Sequence, residues 1–150
     1  MPTNIQTYNP LSEYNIAIKK LGENNIRPTK QRRILAKILF NGIPRHVSAD
    51  NLFLEIKKED RKISLATIYN TLKQFTNLGL IREIVVDQNK SLYCNKNQSH
   101  YHLYIEDEGK IIDIPKKNID LEIPSIPACL SLHDVYIIVR IRTLKDKKNK

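Results

Sequence analysis

The chain has 150 residues, 41% of them hydrophobic, and a formal net charge of +9. That is enough apolar content for one moderate core or two small ones, and no apolar run reaches the roughly 18 residues that a membrane span requires. The charge is uneven, +7 over residues 1–90, −1 over 91–144 and +3 over 145–150, which points to a polyanion-binding module joined to a module with another task. Cys94 and Cys129 form no CxxC pair, which leaves neither a disulfide framework nor a four-cysteine zinc site. The start, Met1-Pro2-Thr3-Asn4, has no basic stretch leading into an apolar one, so no secretory signal is read and the expected location is the cytoplasm.

Residues 1–10, with two prolines and little periodicity, read as a loose arm. From Leu11 the spacing of Tyr14, Ile18 and Leu21 predicts a first helix stopping at Gly22. Arg27-Pro28-Thr29 opens a second, over about residues 30–41, with Thr29 as N-cap. It carries Ile34, Leu35, Ile38 and Leu39 on one face and Lys30, Arg32, Arg33 and Lys37 mostly on the other, a basic start suited to phosphate. Ser48 announces a third helix with Leu52, Phe53 and Ile56 as its core face.

Ser64 caps a fourth, in which Leu65, Ile68, Leu72 and Phe75 recur at three- and four-residue steps. Its other residues, Ala66, Thr67, Tyr69, Asn70, Thr71, Lys73 and Gln74, are read as the outer face. They are mostly hydrogen-bonding groups of the kind that reach phosphates and base edges, where an ordinary solvated face would be mostly Glu and Lys. The third and fourth helices then form a helix-turn-helix whose later member enters the major groove. Arg27, Lys30, Arg32, Ser64, Ala66, Thr67, Tyr69 and Asn70 are the expected DNA-binding residues. After Gly79 the period changes: Leu80 to Val86, a turn at Asp87-Gln88-Asn89-Lys90 and Ser91 to Cys94 predict a two-stranded wing, whose Arg82 and Lys90 are either backbone contacts or solvated strand ends.

The polar run 95–99 reads as a hinge between a winged-helix domain, 1–94, and a second domain, 100–144, followed by a basic tail, 145–150. The second domain begins with a hairpin, His100 to Ile105 and Ile111 to Ile114, continues through a proline-broken stretch where Leu121 and Ile123 suggest a short helix, and ends in the strand-like run Val135 to Ile141. The fold class is therefore α+β, a winged helix-turn-helix domain followed by a small α+β dimerisation domain. About 50 residues make too small a core to stand alone, so a homodimer is expected, which also gives the two-fold symmetry to read a palindromic operator in double-stranded DNA. His100 and His102 lie two apart on one strand and so share a face, where both can offer a ring nitrogen to one ion or simply be satisfied surface histidines.

With these motifs in order, Arg27-Pro28-Thr29-Lys30-Gln31-Arg32-Arg33, His46-Val47-Ser48-Ala49, Ile63 to Tyr69, Gly79-Leu80-Ile81 and His100-Tyr101-His102, the chain resembles the ferric uptake regulator family of metal-sensing repressors from about residue 18 to residue 142. Within it the stretch from Tyr93 through His100-Tyr101-His102 to Ile112-Asp113-Ile114-Pro115, and the ending Val135 to Arg142, look most like the iron response regulator branch. The resemblance implies a sensory site of His46, Cys94, His100, His102 and Asp113, binding iron or haem, with zinc or manganese as alternatives. Cys94 stands where relatives usually have an acid; it is either a thiolate ligand favouring a softer metal or a small buried side chain.

The family's second site would fall on Ser99, Tyr101, Asp120 or Glu122, and His133, where two usual ligands are replaced. Its cysteine pairs for structural zinc are absent, with Ile105 and Glu108 at the first pair's positions, and so is the haem-regulatory Cys-Pro dipeptide, so that any haem would use the histidines. The function implied is a transcription regulator of iron-responsive genes, or a sensor of zinc, manganese or peroxide in the same family. A metal-dependent hydrolase, the reading from another class, finds no pocket motif to support it.

Overall fold

A computed structural model describes residues 10–96 and 98–144. Most of the expected N-terminal arm, Asn97 of the hinge, and the basic tail 145–150 lie outside the described residues. The chain divides into two units, 1–97 and 98–150.

The first unit runs α1 (Pro10–Glu23), α2 (Lys30–Leu39), β1 (His46–Val47), α3 (Ala49–Lys58), α4 (Leu65–Asn77), β2 (Arg82–Asp87) and β3 (Lys90–Cys94). Helices α2, α3 and α4 start on hydroxyl caps. Thr29 accepts from the Arg32 amide at 3.4 Å, Ser48 from that of Asn51 at 3.1 Å and Ser64 from that of Thr67 at 3.1 Å, each satisfying an amide that the first turn leaves without a helical partner. α4 ends where Gly79, at φ 69°, turns the chain left-handed so that the Leu80 amide reaches back to the Phe75 carbonyl at 2.9 Å, a turn that side chains with a Cβ resist.

The apolar stripes of these helices meet in one core of Ala17, Leu21, Leu35, Leu39, Leu52, Ile56, Ile68, Leu72 and Phe75, with the Phe40 ring tilted against that of Phe75 at 5.5 Å. At about 1.5–3 kcal/mol for each large side chain buried, this cluster is what holds α4 in place. The wing is an antiparallel β2–β3 pair, and β1 adds to the other edge of β3, giving the sheet order β1-β3-β2. Nothing in the sequence announces β1, because two residues carry no period.

The second unit is a three-stranded sheet in the order β5-β4-β6, with β4 (His100–Ile105) central, antiparallel to β5 (Lys110–Pro115) and parallel to β6 (Ile138–Ile141). The short helix expected around Leu121 and Ile123 does not form; a single 3-10 turn, Lys116–Asn118, precedes them and residues 121–127 are irregular. Pro124 and Pro127 explain this, since each lacks an amide donor and holds the residue before it extended. The last strand is also shorter than the run Val135 to Ile141 suggests. Its end is fastened by Glu106, whose carboxylate takes Arg140 and Arg142 at 2.5 Å each, and by Asp107, which accepts the Thr143 amide at 3.0 Å. Arg142 first, then Arg140, holds the Glu106 carboxyl below the usual range.

Candidate metal centre and DNA-binding surface

In the first unit His46 and Cys94 stand directly opposite each other in the β1–β3 register, and cross-strand partners point to one face. Cys94 is buried and its thiol is in no disulfide; the imidazole of His46 and the sulfur of Cys94 approach within 4.8 Å. The strand that carries His46 is held from both sides. Arg45 makes a two-pronged ion pair with Glu55 of α3, at 2.8 and 3.2 Å, and its hydrogen bonds keep the Glu55 carboxyl below the ordinary value.

Asn95, read from sequence as the start of a solvated hinge, is instead buried. Its Oδ1 accepts the Arg45 amide at 2.7 Å, and its Nδ2 donates to the carbonyls of Leu39 at 2.5 Å and Ile43 at 2.9 Å. It ties the strand end beside Cys94 to the loop leading into His46. Replacing it with alanine strands those three backbone groups, so Asn95→Ala is expected to cost about 2–3 kcal/mol in urea unfolding; a loss below roughly 0.5 kcal/mol would show that the knot holds nothing.

In the second unit β4 places His100 and His102 on one face, and the register sets Asp113 of β5 opposite His102. The two Nε2 atoms are 2.9 Å apart, and Asp113 Oδ1 lies 3.4 Å from His100 Nε2 and 3.6 Å from His102 Nε2. His102 is fully buried and His100 nearly so, its Nδ1 held 2.5 Å from the Gln98 carbonyl. Ligands bonded at about 2.05 Å in a tetrahedron stand roughly 3.3 Å apart. The spacing of these three donors therefore fits a single small cation, and the backbone contact at His100 Nδ1 fixes which nitrogen faces it.

Of the positions of the family's second site, Tyr101, Asp120 and His133 line one cavity of about 480 Å³, together with Asp134 and with Lys116, whose ammonium stands 5.3 Å over the Tyr101 ring.

On α4, Tyr69 and Asn70 are exposed and Thr67 is half-buried, while Ser64 and Thr67 bond to each other at 2.8 Å at the helix start. Thr71 is a correction to the outer face read from sequence: it is buried, with its hydroxyl donating to the Thr67 carbonyl at 2.8 Å. Tyr69, Asn70 and Lys73 border a shallow cavity of about 290 Å³ with Glu83 and Tyr93 of the wing. Burial, then the charge of Glu83, pushes the Tyr93 hydroxyl up to about 12, so it stays a proton donor. Arg27 and Lys30 are exposed. Arg32 is engaged within the protein, donating from Nε to Gln74 Oε1 and from Nη1 to the Arg27 carbonyl, both at 2.8 Å, and so braces α2 against α4.

A winged helix-turn-helix with a hydrogen-bonding outer face, followed by a sheet module carrying a cation-sized cluster of imidazoles and a carboxylate, is the architecture of a metal-responsive transcription regulator. Among the described residues no helix is long and apolar enough to cross a membrane. The chain belongs to the ferric uptake regulator family, whose model matches residues 23–139. It is 32% identical over 104 residues, 69% of this chain and 70% of the relative, to the peroxide-responsive repressor PerR of Staphylococcus saprophyticus. It is 31% identical over 104 residues to the peroxide operon regulator of Bacillus subtilis, covering 69% of this chain and 71% of that one. Its fold is similar to that of the ferric uptake regulator of Pseudomonas aeruginosa with manganese, at TM-score 0.67 and 20% identity over 87% of this chain and 99% of that one. It is also similar to the Campylobacter jejuni peroxide stress regulator, at TM-score 0.58 and 27% identity over 86% of this chain and 97% of that one.

Proposed function

We propose that this chain is a homodimeric, cytoplasmic repressor whose hold on a palindromic operator depends on a bound divalent metal and is released by peroxide. The ligands proposed, on the resemblance to the family, are His46, Cys94, His100, His102 and Asp113. The observation that carries the reading is the convergence of His100, His102 and Asp113 on one cation-sized point; the relatives named for peroxide response favour that stimulus. Iron held by those residues would supply one-electron redox chemistry toward peroxide, which zinc, having none, would not. The protein's part is to hold the donors, to fix the imidazole orientation through the Gln98 carbonyl, and to exclude bulk water by burying both rings. A metal bound more tightly in one arrangement of the units than in another shifts the population toward it, and only that difference in affinity can change DNA binding.

The iron response reading, with haem as the signal, is weaker on geometric grounds. Two Nε2 atoms 2.9 Å apart, both within 3.6 Å of one Asp113 oxygen, suit a bare ion. The homodimer is supported by the second unit's surface: Leu121, Ile123, Ile126, Leu130, Leu132 and Tyr136 are exposed, while among its described residues the buried apolar side chains are Tyr101 and Tyr104. A second copy covering those exposed residues would supply the missing core.

Cobalt substitution tests the ligand set. The Co(II)-loaded protein should show a thiolate-to-metal charge-transfer band in the near ultraviolet, and Cys94→Ser should lose that band while keeping the visible ligand-field bands of a histidine site. An identical ultraviolet spectrum in wild type and Cys94→Ser would remove Cys94 from the set.

A further inference from the structure

On α2, Lys30, Arg33 and Lys37 recur at i, i+3 and i+7, so they share one face of the helix. With Ile34, and with Arg61 from the turn between α3 and α4, they line an open groove of about 420 Å³. Among the described residues, four cations and no carboxylate line it. Three of the heads are held. Arg33 Nε donates to the Pro28 carbonyl at 3.0 Å, Lys37 Nζ stands 5.9 Å over the Tyr14 ring, and Arg61 Nε pairs at 3.2 Å with Glu59, whose own carboxylate lies outside the groove lining.

Arg61 precedes the Ser64 cap of α4 by three residues, which brings one end of the groove to the chain segment leading into that helix; α4 itself is bonded through Gln74 to Arg32, on the opposite face of α2. A solvated basic face is the ordinary fate of surface lysines and arginines. Here the cations line a concavity, three of their heads are positioned by neighbours, and one of them, Arg61, belongs to the turn that leads into the helix proposed to enter the major groove.

We propose that this groove clasps the phosphodiester backbone of the DNA flanking the bases that α4 reads, with Arg33, Lys37 and Arg61 as phosphate contacts beyond those of Arg27 and Lys30. The proposal rests on the DNA-binding reading above and extends its footprint. Phosphate contacts carry no sequence information, so the groove adds affinity and salt dependence and leaves base preference unchanged.

The test uses a duplex selected from a random library by the full-length wild-type protein with a divalent metal, Mn(II), supplied in every selection and titration, and binding is followed by fluorescence anisotropy between about 50 and 200 mM salt. The variant is Arg33→Gln/Lys37→Gln/Arg61→Gln, and its thermal unfolding is checked by circular dichroism. A charge-keeping variant, Arg33→Lys/Lys37→Arg/Arg61→Lys, controls for folding. The groove predicts that the Gln variant's slope of log affinity against log salt is shallower by about 2 to 3, at roughly 0.9 per phosphate contact. It also predicts that preference for the selected duplex over a mismatched one is unaltered and that the charge-keeping variant retains the wild-type slope. A Gln variant with the wild-type slope overturns the groove and leaves the DNA-binding reading standing. A wild-type protein that selects no duplex overturns both.

Discussion

Tyr69→Ala should lower affinity for the selected operator by about 10- to 100-fold at fixed salt, the 1–3 kcal/mol typical of a lost base-edge contact, without changing the salt slope. Tyr69 is 45% exposed in the middle of α4, so its removal opens no cavity in the core and the protein should unfold at the same urea concentration. The same helix is anchored from behind by Ile68, Leu72 and Phe75, all fully buried, which keeps the exposed face rigid before DNA arrives. Anisotropy titrations with selected and scrambled duplexes measure the ratio. Equal loss on both would make Tyr69 a backbone contact, and no loss on either would move the reading surface away from α4.

The second large effect is at the metal site. Replacing His100 and His102 together by alanine should reduce metal affinity by more than the roughly 10- to 100-fold that the loss of an outer-shell partner costs, because two of the donors themselves are gone. Dimerisation should persist, since most of the apolar residues proposed to meet a second copy lie at 121–132, and only Tyr136, whose ring stands 6.1 Å from that of His102, adjoins the site. Both rings are buried, so part of the effect will be on stability. Asp113→Asn separates the two contributions: it keeps the size and a carbonyl donor but removes the charge, and should weaken the metal while leaving the urea midpoint almost unchanged.

Much of the first unit was legible from local chemistry. Thr29, Ser48 and Ser64 each announce a helix start and each caps one, because a cap involves residues only three apart. Thr71 was misassigned because its polarity was weighed above its position: with Ile68, Leu72 and Phe75 it falls on the i, i+3, i+4, i+7 stripe, and its hydroxyl satisfies itself on the preceding turn. Asn95 was missed for another reason. Its partners at Leu39, Ile43 and Arg45 lie 50 or more residues away along the chain, and nothing local distinguishes a buried amide from a solvated one.

The candidate site was half visible. The His100 and His102 spacing is readable on any strand, and the carboxylate of Asp113 follows once the hairpin register is known. The facing of His46 and Cys94 depends on β1, a two-residue strand that becomes a strand only by pairing with β3, so it entered through resemblance to a family and not through pattern.

Metal-dependent, peroxide-sensitive operator binding is read out on the full-length protein by anisotropy, measured anaerobically with and without one equivalent of Fe(II), and again after hydrogen peroxide. Fe(II) should change operator affinity by about 5- to 150-fold, peroxide should abolish the change, and the His100→Ala/His102→Ala variant should show neither effect. Wild-type and double-variant proteins that bind the operator equally tightly in all three conditions would contradict the proposed function.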